Sequence, residues 1–109
     1  MSMPLKWEFP GGKIRGNETA KECLRRELDE ELGIFVRVGA ALAPSTHLYP
    51  DFTITLYPFL CTIQSGDVAL HEHAEIAWMK PQRLSELDWA EADRPVVEAF
   101  LKMTAGDAG

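Results

Sequence analysis

Three carboxylates stand at the spacing i, i+3 and i+4: Glu27, Glu30 and Glu31. On a helix, where each residue advances by about 100°, they fall within an arc of roughly 100°. Like charges held that close repel one another and weaken an isolated helix. A hard divalent cation removes that cost and takes oxygen ligands readily. The Gly11-Gly12 pair just upstream can bring a backbone carbonyl to the same ion. An ion held this way can also bridge carboxylates to phosphate, so the chemistry suggested is a divalent-cation site compatible with a small phosphate ligand. The plainer reading is a solvated acidic helix face.

The elements that must position these groups can be read from the same stretch. Residues 7–17, WEFPGGKIRGN, read as a strand end followed by a glycine-rich loop. Pro10 removes a donor and the glycines allow a tight turn. Residues 18–32 read as a helix, with Asn17 as N-cap, Glu18 and Glu22 at its positive end, and Gly33 as its stop. Ala20, Leu24, Leu28 and Leu32 form its core-facing stripe. A strand is expected over 34–38 and extended chain over 40–48. A turn follows at Tyr49-Pro50-Asp51, then a long strand over 52–63, with Pro58 marking an edge or bulge. A turn at 65–67, a strand over 75–79, helical turns over 81–87 and a helix over 91–103 complete the chain. Residues 104–109 read as a frayed tail.

Composition narrows the class. The chain has 109 residues, 46% of them hydrophobic, which suits a single globular domain over 1–109. No run of apolar residues is long enough to span a membrane, and the first residues lack the apolar core of a secretory signal. Cys23 and Cys61 show no pairing or metal spacing and read as free thiols of a cytoplasmic protein. The formal charge of −6 argues against a nucleic-acid polymer as partner. It is not evenly spread: residues 18–31 carry six acidic and three basic side chains, half of the net charge. A small phosphate ligand remains compatible, because a cation can bridge it to carboxylates.

The full spacing is more specific than the carboxylates alone. Gly12, Glu18, Arg26, Glu27, Leu28, Glu30, Glu31, Gly33 and Ile34 match G-x5-E-x7-R-E-U-x-E-E-x-G-U, where U is a bulky aliphatic residue. Residues 12–34 thus resemble the Nudix box of the Nudix hydrolases. The preceding Trp7-Glu8-Phe9-Pro10-Gly11 looks like the MutT-like branch, which hydrolyses nucleoside triphosphates, including oxidised ones. The resemblance implies an α/β fold of α+β character, an α/β/α sandwich around a mixed sheet. It implies Mg²⁺, or Mn²⁺, held by Glu27, Glu30, Glu31 and the Gly11 carbonyl. Arg26 would orient a ligand carboxylate, and Gly12, Glu18 and Gly33 would support the loop and helix.

Other roles follow from the same resemblance. Glu72, six residues before Trp78, matches a loop glutamate that binds metal or takes the proton of water; Glu75 is its rival. Both also read as solvated loop carboxylates, and His71 and His73 as surface histidines. Phe9 and Tyr49 match aromatic positions of a base pocket, although core packing explains them equally well. Asp93 matches a position that reads a base edge, and it also suits a helix N-cap.

Two departures stand out. Arg15 replaces an acidic residue of the family pattern, and Gly16 comes one residue before the expected glycine at Asn17. MutT-like proteins also carry about thirty further residues ahead of the Trp-Glu-Phe-Pro-Gly-Gly segment, supplying one or two strands. A missed coding start, a shortened chain, or an intertwined homodimer would each account for this; the first two are favoured. The leading functional expectation is a Mg²⁺-dependent pyrophosphohydrolase giving a nucleoside monophosphate and pyrophosphate. Candidate substrates are 8-oxo-dGTP, CTP and dCTP, which would place the chain in sanitation of the nucleotide pool. The alternatives are a non-catalytic nucleotide-binding module and a Nudix hydrolase of another nucleoside diphosphate derivative.

Overall fold

A computed structural model of the chain describes residues 6–68 and 76–108. Along it come α1 (Ala20–Leu32), β1 (Phe35–Ala41), β2 (Ser45–Leu48), β3 (Thr53–Leu56), β4 (Phe59–Ser65), 3-10 turns at Pro81–Glu86 and Glu91–Asp93, and α2 (Arg94–Ala108). β1 pairs with β4, and β2 pairs with β3. The described residues fall into two compact units. Pro10–Ala40 and Phe59–Ala77 supply one; Met1–Phe9, Ala41–Pro58 and Trp78–Gly109 supply the other. Among the described residues no helix is long and apolar enough to cross a membrane.

The first unit holds the glycine loop, α1, β1 and β4. The helix starts two residues later than its sequence suggested, because Thr19 rather than Asn17 caps it. The Thr19 hydroxyl accepts from the Glu22 N–H at 3.1 Å, and the Glu22 carboxylate accepts from the Thr19 N–H at 2.8 Å. This reciprocal capping box satisfies two otherwise orphaned donors. The helix ends at Gly33, whose φ of 69° is left-handed, and its N–H donates to Asp29 O. Glycine adopts that conformation without the Cβ penalty that other residues meet. Leu28 and Leu32 pack on Ile34, Val36 and Val38, with Leu24, Phe59 and Val68 at the margin. Val36 and Val38 alternate with exposed neighbours, so β1 turns one face to α1.

The second unit holds β2, β3, both 3-10 turns and α2. β2 and β3 run antiparallel, from Ser45 opposite Leu56 to Leu48 opposite Thr53. The Tyr49 N–H closes their turn on Phe52 O at 2.8 Å. The single strand expected over 52–63 is interrupted at Tyr57-Pro58. Pro58 has no N–H to offer a ladder, and its carbonyl accepts from the Leu42 N–H. Trp7 forms a parallel bridge with Trp89. Leu84, Trp89 and Val97 form the core, packed by Trp7, Met79, Leu87, Phe100 and Leu101. The Trp89 indole N–H is satisfied by Leu84 O at 2.7 Å, as a buried indole requires.

Three further expectations are corrected. Residues 76–79 form no strand, and Trp78 is 74% exposed; Glu75 lies outside the described residues. Pro81 opens the 3-10 turn that follows, so the extended Lys80 leads into it rather than into a ladder. The last helix begins at Arg94, after a 3-10 turn, and runs to Ala108, so the chain from 104 to 108 is helical rather than frayed.

Candidate functional site

Arg26 organises the first unit. Its Nε and Nη2 donate to the two Glu18 oxygens at 3.0 and 2.7 Å, a fork-on-fork pair. Nη2 also reaches Lys13 O at 3.0 Å, and Nη1 reaches Glu27 Oε1 at 2.8 Å and Glu30 Oε2 at 3.3 Å. Glu18 accepts in addition from the Arg15 N–H at 2.7 Å. These contacts tie the loop to the helix that follows it, so the loop has a fixed shape despite its glycines and despite Arg15. The hydrogen bonds from Arg26 and from the Arg15 backbone hold the Glu18 carboxyl down to about 2. Its hydrogen bonds to Glu18 and Glu27 push the Arg26 guanidinium further from any deprotonation. Cys23, buried, donates its thiol to Gly12 O at 3.6 Å beneath this network.

Glu27 is the most buried of the box carboxylates, at 6% exposure. Burial alone would raise its pKa, but the Arg26 guanidinium, hydrogen-bonded to it, outweighs burial and holds the group low and ionised. A Cβ on Gly12 would lie 2.5 and 2.6 Å from the two Glu27 oxygens, so only glycine leaves room for that carboxylate. Gly11 lies over Leu24 of α1. Glu30 is exposed and Glu31 half-buried on the same helix, one turn on. Carboxylates and a glycine carbonyl are the hard oxygen donors that Mg²⁺ or Mn²⁺ prefers, so the donor set fits such an ion. Among the described residues no three His, Cys, Asp or Glu side chains stand together as a ready cation site. The Arg26 guanidinium, which holds Glu27 and Glu30, is the group they now face.

Phe9, Tyr49 and Asp93 belong to the second unit, where they are neighbours. The Phe9 ring stacks on Trp89 with centroids 4.5 Å apart and remains 36% exposed, so it packs and presents a surface at once. Asp93 is 6% exposed, and its Oδ1 accepts from the Phe9 N–H at 3.1 Å. This long-range bond, rather than a cap, is its main contact. Burial, aided by the nearby Glu8 and opposed by the Phe9 N–H, pushes its carboxyl up to about 6. The Tyr49 hydroxyl accepts from the Ala92 N–H at 3.1 Å, and Ser45 Oγ donates to Ala92 O at 2.9 Å. β2 and the residue after it therefore clamp the turn that carries Asp93. Tyr49 also sits between His47 and Phe52 in an aromatic cluster.

Glu72 and Glu75, with His71 and His73, lie outside the described residues. Sequence reasoning missed Thr19, whose signal, Thr19-x-x-Glu22, was present as a capping box. It also missed Trp89, which backs Phe9, and Ser45, which holds Ala92. Those contacts join residues far apart in the chain and leave no local signature.

Comparison with known proteins places this geometry. The NUDIX domain family profile matches residues 2–100. The CTP pyrophosphohydrolase of Escherichia coli K12 is 35% identical over 99 residues, covering 91% of this chain and 73% of that protein. The 8-oxo-dGTP diphosphatase of the same organism is 35% identical over 101 residues, covering 93% and 78%. Among solved structures, the E. coli ORF135 protein superposes with a TM-score of 0.80 at 34% identity, over 92% of this chain and 71% of that one. A DNA mismatch repair protein MutT, a Nudix-family hydrolase from methicillin-resistant Staphylococcus aureus 252, superposes with a TM-score of 0.75 at 39% identity, over 94% and 79%. With the box residues held as described and the fold shared with these proteins, this chain belongs to the Nudix family.

Proposed function

We propose that the protein is a divalent-metal-dependent hydrolase of nucleoside triphosphates that releases a nucleoside monophosphate and pyrophosphate. The observation that carries this reading is the ionised, buried Glu27, fitted against Gly12 and held by Arg26 on the same helix as Glu30 and Glu31. A surface helix carrying carboxylates for solubility has no use for a buried one. Relatives named for CTP and for 8-oxo-dGTP support the substrate class, with CTP, dCTP and 8-oxo-dGTP as candidates.

Glu27, Glu30 and Glu31 would hold Mg²⁺ or Mn²⁺, with the Gly11 carbonyl and Glu72 as further ligands. When bound, the ion neutralises pyrophosphate charge and activates water. Arg26 fixes the orientation of Glu27 and, through Glu18 and Lys13 O, the loop that carries Gly11 and Gly12. Glu72 takes the proton of the attacking water, with Glu75 as its alternate. Phe9 and Tyr49 offer aromatic faces to a base, and Asp93 offers an acceptor to its edge when ionised. A small soluble substrate suits a cytoplasmic enzyme without a nucleic-acid polymer as partner. Self-association as a homodimer is a separate matter that light scattering decides.

The test is pyrophosphate release from a panel of nucleoside triphosphates with Mg²⁺, comparing wild type with Glu31→Gln. Turnover that needs the metal and falls by orders of magnitude in the variant is expected. Absence of turnover on every substrate removes the enzymatic reading, and full activity of the variant removes the site assignment.

A further inference from the structure

Two hydroxyls of the second unit are committed to one backbone residue that has no chemistry of its own. Ser45 Oγ donates to Ala92 O at 2.9 Å, and the Tyr49 hydroxyl accepts from the Ala92 N–H at 3.1 Å. Both Ser45 and Ala92 are buried. A peptide unit is planar, so Ala92 C=O, Asp93 N–H and Asp93 Cα move as one plate. That plate is pinned at both edges, its oxygen by Ser45 and its N–H by Ala90 O at 3.0 Å. Tyr49 pins the plate before it. The Asp93 side chain grows from the far corner of the pinned plate, and any tilt of the plate carries the carboxyl with it. Thr46, on the other face of β2, is exposed and bonds Thr55 across the hairpin at 2.9 Å. The hairpin thus has a hydroxyl pair for its own cohesion, while Ser45 serves the turn that carries Asp93.

We propose that the hydroxyls of Ser45 and Tyr49 are positioning groups that aim the Asp93 carboxylate, and through it set a preference for a base carrying an exocyclic amine. The inference rests on the hydrolase reading above, in which Asp93 meets the base edge. An ionised carboxylate only accepts, so an amine satisfies it and a carbonyl at the same place repels it. That contrast is felt at hydrogen-bond distances of about 2.7–3.2 Å, and a misplacement of about 1 Å is enough to blunt it. The sugar separates the base from the phosphorus under attack, so an error in seating the base appears in KM rather than in kcat. Tyr49 then has two separable parts. Its ring packs with His47 and Phe52, and its hydroxyl holds the backbone ahead of Asp93.

The experiment has two arms, both on the whole chain. Without substrate or metal, amide NMR follows the Phe9 N–H, which reports the Asp93 carboxyl 84 positions away in the chain. Its signal moves in Ser45→Ala and in Tyr49→Phe, and stays in Thr46→Ala. With Mg²⁺, kcat and KM are measured for CTP against UTP, dCTP against dUTP, and 8-oxo-dGTP against 8-oxo-dITP, each pair differing at the amine. The wild type prefers the amine-bearing member of the pair it hydrolyses best. That preference falls by about tenfold in Ser45→Ala and in Tyr49→Phe through KM, and holds in Thr46→Ala. Tyr49→Phe keeps the ring and decides the question if Ser45→Ala does not fold. A Phe9 signal that stays put in either folded variant, a preference that survives in either, a loss carried by kcat alone, or the same loss in Thr46→Ala each overturn the proposal and leave the hydrolase reading standing. A wild type without turnover, or without the amine preference, removes the reading it rests on and the proposal with it.

Discussion

Asp93 ought to destabilise the protein at neutral pH, and Asp93→Asn ought to relieve that. Its carboxyl is 6% exposed and is raised from 3.8 to about 6, chiefly by burial. A folded pKa above the unfolded one means that the folded state holds the proton more tightly. The stabilising contribution is then complete below about pH 4 and is lost as pH rises through about 6. A shift of about two units corresponds to about 3 kcal/mol at most, and to about 2 kcal/mol allowing for solvent that reaches the outer oxygen. Asparagine keeps an oxygen for the Phe9 N–H and carries no charge. Urea unfolding at intervals from pH 4 to pH 7 measures the difference between the two proteins, which cancels every other carboxylate. The variant should be more stable by about 2 kcal/mol at pH 7, with the gap closing by pH 4. A variant no more stable at pH 7, or a gap that persists at pH 4, would refute the reasoning.

Gly12→Ala should cost little stability, because the Glu27 side chain can swing aside. It should nonetheless lower turnover by about a hundredfold by displacing a buried carboxylate, and unfolding and kinetics measured together separate the two. Arg26→Lys keeps the charge but loses the fork to Glu18 and the reach to Lys13 O, so a loss of about tenfold to a hundredfold in kcat/KM is expected. Thr19→Ala should cost about 1 kcal/mol of stability in denaturant unfolding, with activity per folded molecule intact, because the cap touches no box residue.

The parts of this fold that were legible in the sequence are those made by near neighbours. The α1 body, its Leu28 and Leu32 stripe and the Gly33 stop follow from periodicity and glycine conformation over a few residues. The Thr19 cap was equally local, and was missed only because Asn17 is also a good cap. The split of residues 52–63 turned on Pro58, whose missing N–H was visible, while the choice between a bulge and a break depended on Leu42 claiming its carbonyl. The strand expected over 75–79 had the right residue types, but pairing needs a partner, and sequence pattern cannot supply one. The box residues were legible because their spacing is rigid. The environment of Asp93 was not, since its pKa depends on Phe9, 84 residues away.

Arg26 is in effect a removable staple. It ties itself to Lys13, 13 positions earlier in the chain, without a covalent bond, and 22% of its side chain is open to solvent. Dissolved guanidinium ion has the same fork and can take its place on Glu18 and Glu27, whereas urea carries no charge to do so. The loop should therefore come loose, and activity fade, in guanidinium chloride well below the concentration that unfolds the chain. At matched loss of global stability, urea should leave the staple closed.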